Sequence, residues 1–204
     1  MKKFGALVVI VFSCFIAAAQ ETDAREVAGF SGVKAMEGVD VFLKKGDKEG
    51  VKVEVTGTSA SNVITEVSGS YLKIHMRDVR VRNVNAKVYV TYVSLDKLSA
   101  SSAGSIFSDG TLKASSMEIS ASSAGSIEVS IDAESASVSS STAGDVELKG
   151  RVRSIDVDAS SAGQIDAYDL EAYDVNAQAS SGGSVKINVR KSLEAHASSG
   201  GSIR

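Results

Sequence analysis

One short string recurs through the second half of this chain and constrains its fold more than any other feature. SASSAGSI at 99–106 returns unchanged at 120–127, and four looser copies follow within the 204 residues. Each copy carries one anchor glycine, and successive anchors are 18 to 21 residues apart. The anchors are Gly104, Gly125, Gly144, Gly163, Gly183 and Gly201. A period of this length is typical of solenoids, in which each repeat forms one coil against its neighbours.

Apolar and polar residues alternate around every anchor. The residue two positions after the anchor is Ile or Val in each copy, and the residue six positions before it is also apolar. The odd positions are mostly polar. A period of two indicates strands with one buried face. We therefore predict an all-β, right-handed parallel β-helix or related β-solenoid. Its coils of about 20 residues would each hold two short strands, joined by the Ser-Ser-Ala-Gly segment and by a variable turn.

The Ser-Ser-Ala-Gly segment is interpreted as a corner of the coil. The anchor glycine would take a positive φ or lie too close to the next coil for a side chain. The paired serines, from 101/102 to 198/199 with Thr142 in one copy, would stack into ladders and hydrogen-bond along them. This motif can repeat for structural reasons alone. The alternative is that the serine ladder forms a binding face for a glycan or another protein.

Residues 20–98 lack the motif, and we assign them to an atypical β cap on the N-terminal end of the solenoid. Such a cap is needed because the last apolar layer of a stack would otherwise face water. The runs 39–43 and 51–55 flank a short polar link and are expected to form a hairpin or two edges of one sheet. A separate small β domain is the alternative. Residues 99–204 are assigned to the repeat coils.

Residues 1–19 have the pattern of a signal peptide. Lys2 and Lys3 precede an apolar run at 4–16, and three alanines follow at 17–19. The run is too short for a comfortable transmembrane helix, which needs about 20 apolar residues. Cys14, the single cysteine, lies inside the run, and lipidation of Cys14 is the alternative to a plain signal sequence. We expect export to the periplasm, the outer membrane or the cell surface.

The charge balance gives no reason to expect a nucleic acid partner, because 22 basic residues face 25 acidic ones for a net charge of −3. Outward carboxylates are the main candidates for ligand chemistry. Glu128, Glu147 and Asp166 share one offset in successive copies, so they would stack about 5 Å apart. We favour a solvated ladder moderated by salt and by Lys149, Arg151 and Lys186 nearby. The alternative is a weak cation site, such as one for Ca²⁺.

A polysaccharide-acting enzyme is a further alternative, because β-helices host such activities. Glycosidases need a positioned pair of carboxylates, which Asp156 and Asp158, or Glu128 and Glu147, could mimic. The chain has no Trp, only 5% aromatic residues, and no long loops between coils to form the wall of a cleft. We therefore predict no catalytic residue, no cofactor and no resident metal.

The aromatic residues divide into two groups. Tyr168 and Phe107 take outward offsets and could contact a ligand. Tyr71, Tyr89 and Tyr92 precede the repeats and are expected to pack the cap.

Several blocks of the chain resemble a known family. They are REVAGFSGV at 25–33, GVDV at 38–41, VTYVSLDKL at 90–98 and the repeated Ser-Ala-Gly. Over about 25–203 the chain resembles the exported bacterial family described as a putative auto-transporter adhesin with a head GIN domain. The resemblance implies an exported β-helical protein and supplies no catalytic residue. Family members usually carry a further Gly-rich strand segment after the last repeat. Because this chain stops at Arg204, we expect either a truncated form or an open C-terminal coil through which it could self-associate.

The function expected from the sequence is that of a non-enzymatic envelope or surface protein. A repetitive β-helix face would serve adhesion or protein interaction, with a protein or a glycan as the ligand. The alternative is a periplasmic protein for envelope structure or maintenance.

Overall fold

The repeats stack as coils, as their period predicts. The structure, a computed structural model, describes residues 20–77 and 84–204 and forms a β-solenoid of about five turns. The predicted all-β solenoid is therefore confirmed, whereas its right hand remains a prediction. The predicted signal peptide at 1–19, with Cys14, lies outside the described residues. The strands of the repeat half are β9 (Ser105–Ser122), β10 (Ser126–Ser141), β11 (Asp145–Ala159), β12 (Gln164–Ala179), β13 (Ser184–Ala197) and β14 (Ser202–Ile203).

Each repeat coil is one long bent strand, not the predicted pair of short strands with a variable turn between them. The chain bends without leaving the sheet, with Gly110 (φ 94°) inside β9 and Gly150 (φ 106°) inside β11. Differences in coil length are absorbed by shifts of register within the parallel ladder, as between Glu128 and Ser130 where β10 pairs with β9. Strand hydrogen bonding thus continues around the corner that we had assigned to a turn.

The Ser-Ser-Ala-Gly segment forms the single tight turn of each coil. In the first copy Ser102 and Ala103 both have positive φ, at 50° and 60°. The N–H of Gly104 donates to the carbonyl of Ser101 at 3.0 Å, the pattern of a type I′ turn. Neighbouring turns are joined through the backbone, since the N–H of Ala103 donates to the carbonyl of Ser123 at 3.1 Å.

The anchor glycines are explained by close approach of the next coil. None of them has a positive φ. A β-carbon on Gly104 would lie 2.7 Å from the carbonyl carbon of Ala35, and one on Gly144 would lie 2.5 Å from the carbonyl oxygen of Ala121. Those neighbours are backbone atoms, which cannot rotate away as a side chain can.

The core is built from stacked equivalents. Ile106, Ile127, Val146, Ile165 and Val185 lie one above the next in the parallel register and are at most 1% exposed. Complete burial of an aliphatic side chain contributes about 1.5–3 kcal/mol, so the repeated apolar columns hold the coils together.

The first half closes the end of the stack, with its coils out of chain order. Strand β2 lies between β6 and β8, and β3 lies between β7 and β9. The β2–β3 coil therefore separates the β6–β7 coil from the repeats. Beyond it, β4 pairs antiparallel with β7 and β1, and β5 pairs antiparallel with β6. These strands are β1 (Glu21–Arg25), β2 (Gly32–Ala35), β3 (Asp40–Lys45), β4 (Gly50–Thr56), β5 (Val63–Ser68), β6 (Tyr71–Met76), β7 (Asn85–Tyr92) and β8 (Lys97–Ala100).

The expected hairpin between 39–43 and 51–55 is wrong. Strands β3 and β4 do not pair with each other, because β7 lies between them, parallel to β3 and antiparallel to β4. Both strands do belong to one sheet, but neither is an edge strand, because β3 lies between β7 and β9 and β4 lies between β1 and β7. A short 3₁₀ helix, Ala60–Asn62, follows β4. Among the described residues no helix has the length and apolar character to cross a membrane.

Candidate interaction face

One outward column of side chains runs the length of the solenoid and contains the candidate carboxylates. We call it the long column. Each member pairs with the next across the sheet, first through the cap strands and then through the repeats. In spatial order its members are Lys52, Tyr89, Phe42, Phe107, Glu128, Glu147, Asp166 and Lys186.

The cap end of the long column is aromatic. Phe42 stacks on both Tyr89 and Phe107, with ring centroids 5.3 Å apart in each pair and interplanar angles of 23° and 21°. The ammonium of Lys52 lies 5.8 Å from the centre of the Tyr89 ring. Because the rings face one another, their edges point outward and their faces are used within the stack. Phe107, which we expected to be available to a ligand, therefore packs mainly within this ladder.

The repeat end of the long column is acidic and is neutralised by lysines. Glu128, Glu147 and Asp166 stack in register, as the shared offset predicts. The ammonium of Lys149 lies 2.8 Å from the Glu147 carboxylate and 3.1 Å from that of Glu128. Hydrogen bonds to both carboxylates raise the pKa of Lys149. Lys186 donates to Asp166 at 2.8 Å, and this hydrogen bond lowers the pKa of Asp166.

These contacts bear on the cation and glycosidase alternatives. Each carboxylate of the ladder already contacts an ammonium, and within 20–77 and 84–204 no group of three His, Cys, Asp or Glu is arranged to hold a metal ion. Glu128 and Glu147 share Lys149. In the other candidate pair, Asp156 accepts a hydrogen bond from the amide of Asn176 at 3.1 Å. Glu128, Glu147 and Asp156 are thus each engaged with a neighbouring side chain on an exposed sheet.

One acidic side chain beside the ladder, that of Asp145, has a raised pKa. Burial raises the pKa of Asp145, and the nearby charges of Glu147 and Asp166 raise it further, while Lys186 acts in the opposite direction. Asp145 is the residue directly after an anchor glycine, so its backbone position is fixed by the turn.

The serine ladder lies at the turn edge. The first left-handed residue of each turn carries a hydroxyl, and the next residue is Ala or Gly. Both positions are exposed in all six copies. The ladder members are Ser102, Ser123, Thr142, Ser161, Ser181 and Ser199. The hydrogen bonds that join neighbouring coils at the turn use backbone groups. The hydroxyls therefore form an exposed polar row along the turn edge and are not the main link between coils.

Sequence reasoning missed a groove at the corner opposite the turns. We call it the corner groove; it has a volume of about 450 Å³ and is lined by residues of 132–134, 151–153 and 173–174 and by Lys191. Tyr173 is 48% exposed. The register shifts beside Tyr173, between Ala172 and Asp174 of β12. The repeat analysis did not locate this site, because the lining residues lie in the variable segments between copies of the motif.

Comparison with known proteins identifies the family. The family model described as "Putative auto-transporter adhesin, head GIN domain" matches residues 29–204, which confirms the resemblance seen in the sequence. No match is found among curated proteins.

Solved structures share the fold. A putative adhesin from Bacteroides fragilis is similar with a TM-score of 0.72 and 18% identity, over 92% of this chain and 97% of that one. A putative adhesin from Parabacteroides merdae has a TM-score of 0.63 and 12% identity, over 90% and 95%. A putative lipid binding protein from Parabacteroides distasonis has a TM-score of 0.62 and 17% identity, over 90% and 95%. The long match to the family model shows that the chain belongs to the family of the putative auto-transporter adhesin, head GIN domain.

Proposed function

We propose that this protein is exported to the cell surface and acts as a non-enzymatic, adhesin-like interaction module. The observation that carries the proposal is the in-register stacking of outward side chains along the long column. Side chains such as Glu128 and Glu147 lie directly over one another, and two-residue turns join the coils at one edge. Such a surface presents many copies of similar side chains at a fixed spacing of about 4.8 Å. Repetition of this kind suits attachment to an extended partner through many weak contacts.

Membership of the family supports the proposal, since its description names an adhesin. The arrangement of carboxylates supports a role without catalysis. A general acid needs a raised pKa and a positioned partner, whereas Glu128, Glu147 and Asp166 each contact a lysine on an open face.

Surface location is the first thing to test. Tight turns can protect a solenoid from proteases, so we would label intact cells with a membrane-impermeant amine reagent. Lys48 in the cap has a side chain that is 81% exposed and would react. A periplasmic protein and permeabilised cells serve as controls. We expect labelling of intact cells; labelling only after permeabilisation would overturn the adhesin proposal and favour the periplasmic envelope role.

Attachment is the second test. Beads coated with the purified chain should bind to host cells or to extracted surface polymers, and bovine serum albumin beads should not. A surface-labelled protein whose beads bind nothing would overturn adhesion while leaving export intact.

A further inference from the structure

At the corner groove the strands stay in register from β10 to β12 and shift only between β12 and β13. Tyr173 of β12 stands where Ala172 pairs with Val189 and Asp174 pairs with Ser192, so one residue of β12 faces Arg190 and Lys191 of β13. Bulges of this kind re-aim side chains and are common at functional sites. The groove volume of about 450 Å³ falls within the range of small-molecule sites, about 300–1,000 Å³.

The lining combines hydrogen-bond donors and acceptors in balanced numbers. The carboxylates of Asp132, Glu134 and Asp174 face the cations of two arginines and Lys191. Balanced charge gives no strong attraction for a polyanion. A sugar hydroxyl both donates and accepts, so it can be satisfied by neighbouring carboxylate and guanidinium groups.

The two arginines that line the corner groove have different roles. Arg151 donates two hydrogen bonds of 2.8 Å to Asp132, so its guanidinium is committed to a bidentate pair. Arg153 lies 3.9 Å from Glu134, which is beyond hydrogen-bond length. The guanidinium of Arg153, whose side chain is 76% exposed, and the carboxylate of Glu134 therefore retain donors and acceptors for a ligand.

Tyr173 supplies what the charged residues lack. Its ring is an apolar surface beside the polar groups, with a hydroxyl that both donates and accepts. Sugar rings are amphipathic in the same way, with C–H groups on their faces and hydroxyls around their edges.

We propose that the corner groove binds a neutral glycan, with a sugar ring packed on Tyr173 and its hydroxyls bound by Arg153 and Glu134. This inference deepens the proposed function, on which it rests, by naming the ligand class and the site of attachment.

The chain offers a matched control on the same strand. Tyr168 is even more exposed, at 68%, but it lines a different groove with Glu147, Asp166, Asp169 and Lys186. Three carboxylates and one ammonium make that groove acidic, and it offers no guanidinium to a hydroxyl.

The experiment is a glycan array probed with the purified chain and three variants. The probes are neutral oligosaccharides of mannose, galactose and N-acetylglucosamine, with oligogalacturonate and heparin fragments as anionic counterparts. We expect the native chain to bind at least one neutral series. Tyr173→Ala should weaken that binding by at least about tenfold, as is usual for an aromatic residue at the centre of a contact. Arg153→Met should weaken it by several-fold, and Tyr168→Ala should leave it within about twofold of the native value.

The variants change exposed residues, so unchanged melting temperatures will show that each has folded. Neutral-glycan binding that survives Tyr173→Ala would overturn the site. Binding to anionic glycans alone, or to none of the probes, would overturn the ligand class. The amine labelling of cells is independent of these results: a chain that reaches the surface but ignores glycans refutes the groove alone, whereas a chain confined inside the envelope refutes the adhesin proposal.

Discussion

The β2–β3 coil of the cap and the coils of the repeat half make the same corner with different residues. In the β2–β3 coil, Glu37 and Gly38 have φ of 58° and 71° and are followed by Val39, which is fully buried. In the first repeat coil, two left-handed residues are followed instead by Gly104. The N–H of Gly38 donates to the carbonyl of Ser102, so the two turns stack directly. Residues 35–39 thus form one more copy of the turn, although they lack the Ser-Ser-Ala-Gly sequence.

The repeated motif meets two separate requirements, one of the turn itself and one of the contact with the next coil. The turn itself needs two consecutive residues with positive φ, and Glu-Gly meets this need as well as Ser-Ala. The glycine after them is needed for another reason, because the neighbouring backbone comes within 2.7 Å of where a β-carbon would be, as at Gly104. At Val39 the same position holds a buried side chain. Glycine at this position therefore reflects close contact between coils, and that contact differs in the β2–β3 coil of the cap.

The largest test of this distinction is Gly144→Val. A β-carbon there would lie 2.5 Å from the carbonyl oxygen and 2.7 Å from the carbonyl carbon of Ala121, so two coils must separate. We expect a loss of about 3 kcal/mol or more in the free energy of unfolding, measured by urea denaturation. Ser137→Val, at an exposed outward position of β10, is the control and should stay within about 0.5 kcal/mol. Equal stabilities for the two variants would refute the close-approach account.

The reciprocal change, Val39→Gly, should also destabilise the protein. It removes a fully buried side chain and adds backbone freedom to the unfolded chain, for an expected loss of about 2–3 kcal/mol. Val93→Ala, at a position that is 45% exposed, provides the control with little change expected. If Val39→Gly proved neutral, then the anchor position would favour glycine in every coil, and the two regions would not differ as we describe.

The structural features that recur in every repeat could be predicted from the sequence, whereas features that occur once in the chain were missed. Alternation around the anchors was enough to identify strands, their buried faces and the stacking of Glu128 on Glu147. The turn at 35–39 was missed because different residue pairs, such as Glu-Gly and Ser-Ala, can adopt the same two left-handed conformations. The insertion of the β2–β3 coil between two later coils leaves no periodic trace. The corner groove combines side chains from four neighbouring coils, and a register shift between β12 and β13 sets which residues of β13 face Tyr173.

A smaller effect is expected within the turns themselves. Ala124 has φ of 59°, and the equivalent residue three turns later in the stack is a glycine, Gly182, with φ of 76°. Alanine is strained in this region and glycine is not, although glycine also costs entropy on folding. We expect Ala124→Gly to raise the free energy of unfolding by up to about 1 kcal/mol and Gly182→Ala to lower it by a similar amount. Both variants changing stability in the same direction would show that strain does not decide the residue here.

The smallest expected effect concerns the ion pairs at the acidic end of the long column. Lys186 lowers the pKa of Asp166 and opposes the rise in the pKa of Asp145. A carboxyl whose pKa is lowered on folding stabilises the protein above its unfolded pKa, near 3.9 for Asp, and loses that contribution as the pH falls through its folded pKa. Lys186→Met should therefore lower the melting temperature at pH 7, by an amount typical of a surface ion pair worth less than about 1 kcal/mol. The difference from the native chain should shrink towards zero as the pH falls to about 2, where the carboxylates are protonated in both states.

Lys34→Met is the control for that comparison. Lys34 lies opposite another lysine, Lys73, in the sheet of the first half, so its removal relieves repulsion and should not destabilise the protein at pH 7. A Lys186→Met deficit that is independent of pH would mean that the lysine acts through its aliphatic stem rather than its charge. The acidic end would then be held, like the aromatic end, by packing between neighbouring side chains.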